Sequence, residues 1–249
     1  MNASVAMIAQ FLAIFMGFIT RVVFTRTLSE GYVGINGLFT DILNILSLSE
    51  LGVGTAITYA LYEPIAKKDI KRQQILMRMF RTFYRITAGF VLTAGLCLIP
   101  FLDVLMKDRP DVDHLIWIYL LYLLNSVVSY LLIYKKTLID AHQMNYVTVL
   151  YHNGFLVIQD LLQIAILLIT GNFILFLLAA VICTITGNIC MSRQADKMFP
   201  YLKEPCREHL PQEERQDIVK NVKAMLMHKL GNVVVNNTDN LLISSFVGV

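Results

Sequence analysis

Residues 173–192 read FILFLLAAVICTITGNICMS, an apolar stretch of 20 residues without one Asp, Glu, Lys or Arg. An α-helix needs about 20 predominantly apolar residues to cross the hydrocarbon core of a bilayer. This stretch therefore predicts a membrane-spanning helix.

Similar apolar stretches occupy much of the remaining chain, at 3–24, 36–61, 83–106, 115–134, 146–169 and, at the C-terminal end, 231–249. Helices of soluble proteins need only one apolar stripe, so a soluble domain rarely carries so many such stretches. The sequence predicts an all-α, polytopic helical membrane protein with a six-helix lobe followed by the first helix of a second lobe.

Three segments follow from this pattern. We expect an N-terminal transmembrane lobe at 1–195, a cytoplasmic linker at 196–230 and the first helix of a truncated second lobe at 231–249. The linker turns helical after Pro211, with apolar residues such as Ile218 and Val222 on one side and lysines off that side. Such a basic amphipathic helix is typical of a segment that rests on anionic membrane lipids, and a hinge between two bundles is the alternative.

The positive charges predict the orientation. Lys and Arg are concentrated in alternate connections, at 63–82, 134–145 and 192–230, whereas the connection at 170–172 has none. Positive residues accumulate in cytoplasmic loops. These connections and the N-terminus are therefore predicted to be cytoplasmic, and the same distribution explains the net charge of +3 without nucleic acid.

The sequence shows no enzyme motif. It lacks the GxSxG, HExxH and P-loop patterns, and its four cysteines have no CxxC spacing. We therefore expect a protein that is not an enzyme, with no catalytic residues, no metal and no cofactor.

Acidic residues lie within the second apolar stretch, at Asp41 and Glu50. A charge near the bilayer centre costs about 2.5–3.5 kcal/mol on insertion scales, so it usually faces protein or water and has a function. The two residues are half a helical turn out of phase, which directs them to opposite faces. One is expected to line a cavity and the other to contact a neighbouring helix.

The fifth apolar stretch carries polar residues in two adjacent rows. Gln159 and Gln163 share a row with His152, and Asn153 and Asp160 form the next row, which predicts one hydrophilic face. Hydrogen bonds between helices are the alternative for any single residue. Similar residues in other stretches favour a shared hydrophilic cavity, for which the further candidates are Asn125, Asn236 and Asp239.

Arg21 lies towards the predicted outer end of the first helix. Its side chain either extends to the lipid headgroups or turns into the cavity, where a guanidinium binds phosphate through two parallel hydrogen bonds. Both interpretations stay open from the sequence.

Five short segments resemble the bacterial polysaccharide transporters, which are oligosaccharide flippases in the multidrug and polysaccharide exporter superfamily. They are FITRVVFTRTL at 18–28, GINGLFTDIL at 34–43, SELGVGTA at 49–56, LYEPIA at 61–66 and NTDNLLISSF at 237–246. The resemblance implies two six-helix lobes around a central cavity, so the chain is expected to be a fragment that lacks its C-terminal lobe. Among the cationic cavity residues of the family, only Arg21 has a counterpart here.

The resemblance further implies a function. The protein is expected to move a lipid-linked oligosaccharide, such as a polysaccharide or O-antigen repeat unit carried on undecaprenyl pyrophosphate, across the bacterial plasma membrane by alternating access. A cation-coupled exporter of drugs or small metabolites is the alternative. A polytopic membrane enzyme of polysaccharide assembly comes third, because the predicted outer loops are too short to hold a catalytic site.

Overall fold

The computed structural model describes residues 2–47, 53–102, 112, 114–204, 211–212, 216–221, 224 and 227. Within these ranges the chain is helical and has no strand. The α-helices are α1 Asn2–Thr27, α2 Glu30–Ser47, α3 Val53–Ala66, α4 Ile70–Leu98, α5 Leu115–Tyr130, α6 Ile133–Ala141, α7 Asn145–Thr170 and α8 Phe173–Met198. Short 3₁₀ helices follow α4 at Ile99–Phe101 and α8 at Pro200–Lys203.

Five helical segments of the described chain are long and apolar enough to cross a membrane. They are Ser4–Thr27, Ile70–Phe101, Leu115–Ala141, Asn145–Thr170 and Phe173–Met198. The prediction of a polytopic helical membrane protein is thus confirmed. The predicted second stretch corresponds to α2 and α3, which flank residues 48–52 outside the described ranges, and the predicted helix at 231–249 also lies outside them.

The basic connections are shorter than the sequence predicted. α3 continues to Ala66 and α4 already begins at Ile70, so the predicted loop at 63–82 is wrong in extent. Asp69 caps α4 by accepting a hydrogen bond from the Arg72 backbone N–H at 3.0 Å. Charged residues end the apolar part of a helix that suits the membrane, but lysine and arginine favour helix formation in water. α4 therefore extends beyond its apolar part.

The predicted loop at 134–145 instead contains most of α6. The fourth membrane span is broken between α5 and α6, where Leu131 is extended (ψ 130) and Leu132 is left-handed (φ 71). A break inside hydrocarbon frees backbone groups that need partners within the protein. At this break the Val128 carbonyl accepts two hydrogen bonds, from the Leu131 backbone N–H at 3.1 Å and from the Asn188 amide of α8 at 2.9 Å.

α7 packs along α1 on one side and along α8 on another. The turn between α7 and α8 consists of Gly171 and Asn172. Gly171 is left-handed (φ 60), which glycine adopts without strain. The Asn172 side chain accepts hydrogen bonds from the backbone N–H groups of Ile174 and Leu175. This turn holds the two helices side by side.

The end of the bundle that contains the α3–α4 and α6–α7 turns is called the inner end here, since its charges predict the cytoplasmic side. The 3₁₀ helix after α8 is fixed there, because Tyr201 donates to Gln73 Oε1 at 2.6 Å and Gln74 donates to the Tyr201 carbonyl at 2.6 Å. Burial raises the pKa of Tyr201 to about 12. Lys135 of α6 pairs with Asp196 of α8 at 2.7 Å. These contacts join α4, α6 and α8.

Aromatic rings pack at the opposite, outer end. Phe24 of α1 lies 5.6 Å from Phe173 of α8, and Tyr32 of α2 lies 5.2 Å from the same ring, measured between ring centroids. Offset and edge-to-face pairs of this kind stabilise by about 0.5–1.5 kcal/mol beyond their buried area. The rings connect the α1–α2 hairpin to the start of α8.

The predicted orientation can be checked by cysteine labelling. We replace the four native cysteines and introduce either Asn172→Cys at the outer turn or Lys68→Cys at the inner end, both at exposed positions. In intact cells an impermeant thiol reagent should modify the cysteine at 172 and not that at 68, because positive residues mark the cytoplasmic side. The reverse labelling would show an inverted protein.

The contact between α4 and α5 leaves no room at Gly95. A Cβ there would clash with Leu123 Cδ1 and lie 3.2 Å from Leu123 Cγ, and Leu123 is 1% exposed. Gly95→Ala should therefore destabilise by about 1–3 kcal/mol, measured by unfolding in detergent. Gly89→Ala on the same helix has open space and is the control.

Leu123→Ala should relieve that contact, so the double variant should lose less stability than the sum of the two single variants. An additive double variant would show that the two helices do not meet as closely as the structure places them.

Candidate substrate pathway

Two polar contacts join α1 to α7. Thr20 donates a hydrogen bond to Asp160 Oδ1 at 2.9 Å, and Asn153 donates to Gln10 Oε1 at 2.9 Å. Thr20 and Asn153 are 7% and 2% exposed, whereas Asp160 is half-buried and Gln10 is exposed, so both contacts are partly buried. In hydrocarbon a buried polar group without a partner costs several kcal/mol, which makes these bonds determinants of the α1–α7 packing. We call these four residues the α1–α7 seam.

The other polar residues of α7 have different neighbours. Gln163 is 4% exposed and donates to the Phe176 carbonyl of α8 at 3.1 Å. His152 and Gln159 line a cavity between α7, α8 and the α5–α6 region. The prediction of one shared hydrophilic face on this helix is therefore wrong. Different helices, α1, α6 and α8, pack against different parts of α7, so neighbouring rows of its surface meet different partners.

This inner cavity has a volume of about 250 Å³. α8 contributes Cys183, Thr184, Gly187, Asn188 and Met191, which lie on one face of that helix. The break between α5 and α6 contributes Ser129, Leu132, Ile133 and Lys136, and α7 contributes Thr148, Tyr151, His152, Phe155, Leu156 and Gln159. The cavity thus joins an apolar wall to a small group of polar side chains.

A second polar group lies nearer the outer end, between α2 and α5. Tyr122 donates a hydrogen bond to Asn36 Oδ1. One turn along α5, the Asn125 side-chain oxygen is buried and has no hydrogen-bond partner among the described residues. Arg21 lies close by on α1, with its guanidinium carbon 5.6 Å from the Phe24 ring centroid and near enough to Tyr122 to interact electrostatically.

Arg21 and Asp41 are both exposed on the surface of the lobe. On α2, Thr40 and Asn44 are exposed beside Asp41, which gives this helix a polar outward face. α1, in contrast, exposes Phe11 and other large apolar side chains of the kind that face lipid. A polar face with a carboxylate is expected to meet water or protein rather than lipid tails.

The remaining candidates Glu50, Asn236 and Asp239 lie outside the described residues. The part that any of the ten candidates plays in a substrate pathway stays a prediction. Among the described residues, no group of three or more His, Cys, Asp or Glu side chains is placed to hold a metal ion.

Sequence reasoning missed three side chains that shape these sites, namely Gln10, Lys136 and Asn188. Gln10 and Asn188 are isolated amides within apolar stretches, and that isolation was the available signal that each needs a partner in the bundle. Lys136 was assigned only to a basic loop, because the helix around it was not predicted.

Apolar spans that bury hydrogen-bonded polar side chains define a polytopic α-helical membrane protein. Residues 1–249 match the model of the family described as polysaccharide biosynthesis protein, and the chain belongs to that family. Comparison with curated proteins gives no match.

Among solved structures, one described as the crystal structure of a MATE mutant is similar, with a TM-score of 0.53 and 14% identity. At this identity the likeness concerns the fold alone. The match covers 98% of this chain and 57% of that chain, so this chain spans little more than half the length of that protein.

The α1–α7 seam can be tested with a double-mutant cycle. Thr20→Val and Asp160→Ala each remove one partner of the same hydrogen bond, so their effects on unfolding in detergent should be coupled by about 0.6–1.7 kcal/mol. Thr25→Val is the control on the same helix, since its hydroxyl is exposed and bonds only to α1 carbonyls. Strict additivity of Thr20→Val and Asp160→Ala would contradict the seam.

Proposed function

We propose that this chain is the N-terminal lobe of a flippase that moves a lipid-linked oligosaccharide from the inner to the outer leaflet of a bacterial plasma membrane. Membership of the polysaccharide biosynthesis family over all 249 residues carries this proposal. The polytopic fold with no enzyme motif supports transport rather than catalysis. A second lobe of the same protein would complete the pathway.

The physical task explains why such a protein is needed. Moving a sugar and a pyrophosphate through lipid places hydroxyl groups and charges in hydrocarbon, at several kcal/mol for each unsatisfied group. A hydrated surface with hydrogen-bond donors removes most of that barrier while the lipid tail stays in the bilayer. Two lobes that open alternately to each side provide such a surface without a continuous channel.

The exposed polar face of α2 and the nearby Arg21 are the best candidates for that surface in the described chain. Arg21 carries a permanent charge and planar donors that suit a pyrophosphate. Asp41, Thr40 and Asn44 offer hydrogen bonds of the kind that sugar hydroxyls make. Arg21 and these three side chains are exposed where a second lobe or water can reach them.

A cation-coupled exporter is the second candidate. The half-buried Asp160 carboxylate in the seam favours it, because an acidic side chain inside a membrane span is typical of ion or proton coupling. The two functions differ in what rescues a deletion strain. A flippase restores surface polysaccharide, whereas an exporter of this kind restores drug resistance.

The test uses the protein that contains this chain, expressed in a strain that lacks its own oligosaccharide flippase. Surface polysaccharide should return with the wild type. Arg21→Ala should lower export at least about tenfold at equal membrane abundance, as expected when a charge-assisted contact to phosphate is lost. Arg26→Ala, which removes an exposed arginine from the last turn of the same helix, is the matched control and should export normally.

Asp41→Asn should also impair export if the carboxylate touches the sugar. Equal export by Arg21→Ala, Asp41→Asn and the wild type would remove both residues from the pathway. Failure of the wild type to restore any polysaccharide, with resistance restored instead, would replace the flippase by the exporter.

A further inference from the structure

The inner cavity contains a cation that makes no hydrogen bond or ion pair with the described residues. Lys136 lines the cavity and is half-buried, and within the described part of the chain its ammonium group makes neither type of contact. Its neighbour Lys135, by contrast, is paired with Asp196. Asp140, one turn from Lys136, is near enough to interact with it electrostatically, but its carboxylate accepts a hydrogen bond from Thr148 at 2.6 Å and makes no ion pair with the lysine. A partly buried ammonium group in a membrane protein gains from a direct contact with a counter-charge.

The other polar groups around Lys136 are neutral side chains that can donate as well as accept hydrogen bonds. None of the described residues that line the cavity is acidic. The lysine offers three N–H donors, Gln159 offers two amide donors, and His152 offers a ring N–H. This set is complementary to an oxyanion. A lysine is a common ligand of phosphate groups, for which it acts as a compact point charge.

The cavity walls are apolar beside this group. Leu132, Ile133, Phe155, Leu156 and Met191 line it together with Lys136. His152 is exposed, so the cavity is accessible from the surface of the lobe between α5 and α7. The stretch of α7 that lines it, from Thr148 to Gln159, covers about 16 Å of helix that begins near the inner end. A ligand here therefore meets both charge and hydrocarbon-like surface.

We infer that the inner cavity binds the phosphate group of an amphiphile from the adjacent leaflet, with Lys136 as the counter-charge and the apolar wall against the first carbons of its chain. The apolar wall favours an amphiphile over a free phosphate, because a free ion would leave that surface unpaired. Binding here needs no transport, so it can succeed or fail separately from the proposed function.

The break in the fourth span explains how the site arises. The left-handed Leu132 ends α5 and redirects the chain into α6, which carries Lys136. Asn188 donates a second hydrogen bond to the Val128 carbonyl at this break and lines the cavity itself. Gly187, next to it, keeps α8 close to α7, since a Cβ there would lie 3.1 Å from Phe155 Cγ. The left-handed turn at Leu132 thus places Lys136 on a helix inside the lobe and not in a surface loop.

The experiment measures lipid retention by native mass spectrometry of the whole chain released from phosphatidylcholine nanodiscs. The nanodiscs contain either phosphatidic acid or diacylglycerol, which share an apolar part and differ in the phosphate. The wild type should retain phosphatidic acid preferentially, and Lys136→Gln should reduce this preference about tenfold, as for the loss of one charge-assisted contact. Lys136→Arg keeps the charge and should retain the lipid.

Lys197→Gln is the matched control, because it removes an exposed lysine at the inner end of α8 that does not line the cavity. Unfolding in detergent verifies that each variant is folded. Equal retention by Lys136→Gln and the wild type would overturn the site, and so would an equal loss in Lys197→Gln, which would indicate general surface charge. Inorganic pyrophosphate should bind more weakly than phosphatidic acid. Equal or tighter binding of pyrophosphate would overturn the assignment to an amphiphile.

Discussion

Hydrocarbon offers no water to a polar group, so each amide or hydroxyl between these helices needs a partner within the protein. Gln10 meets Asn153, Thr20 meets Asp160, and Asn188 meets a backbone carbonyl of the broken fourth span. Close apolar contacts, such as that of Gly187 with Phe155, also determine how the helices face each other. The polar pairs add partners that only one rotation of α1, α7 and α8 satisfies.

The sequence was sufficient for the class of protein, since the length and apolarity of a span are local properties. It was less informative about where helices end. α4 continues through the charged residues after Ile70, because hydrocarbon limits the apolar part of a helix and not its hydrogen bonding. The break at Leu131 and Leu132 was also missed. No glycine or proline marks it, and its stabilising partner Asn188 lies far along the chain on α8.

For the candidate site, too, the sequence predicted the features of single helices better than the contacts between helices. Helical spacing correctly placed Asn153 and Asp160 in one row, and both reach α1. It did not reveal that Gln163 donates to α8 while His152 and Gln159 of the same row line a cavity, because spacing describes one helix and not its neighbours. Arg21 and Asp41 lie on the outer surface of the described lobe, so their contacts depend on what covers that surface.

The short turn at Gly171 and Asn172 has a mechanical consequence. A two-residue connection with its own capping bonds leaves α7 and α8 little freedom to slide past each other, so they behave as one stiff lever. The hydrogen bonds of the α1–α7 seam attach α1 to the same rigid unit. The fourth span, in contrast, is jointed at Leu132 and is held to α8 by a few polar bonds. Bending of the lobe should therefore concentrate at Leu132. Because the inner cavity lies beside this break, its width should change more than other dimensions when the bundle moves.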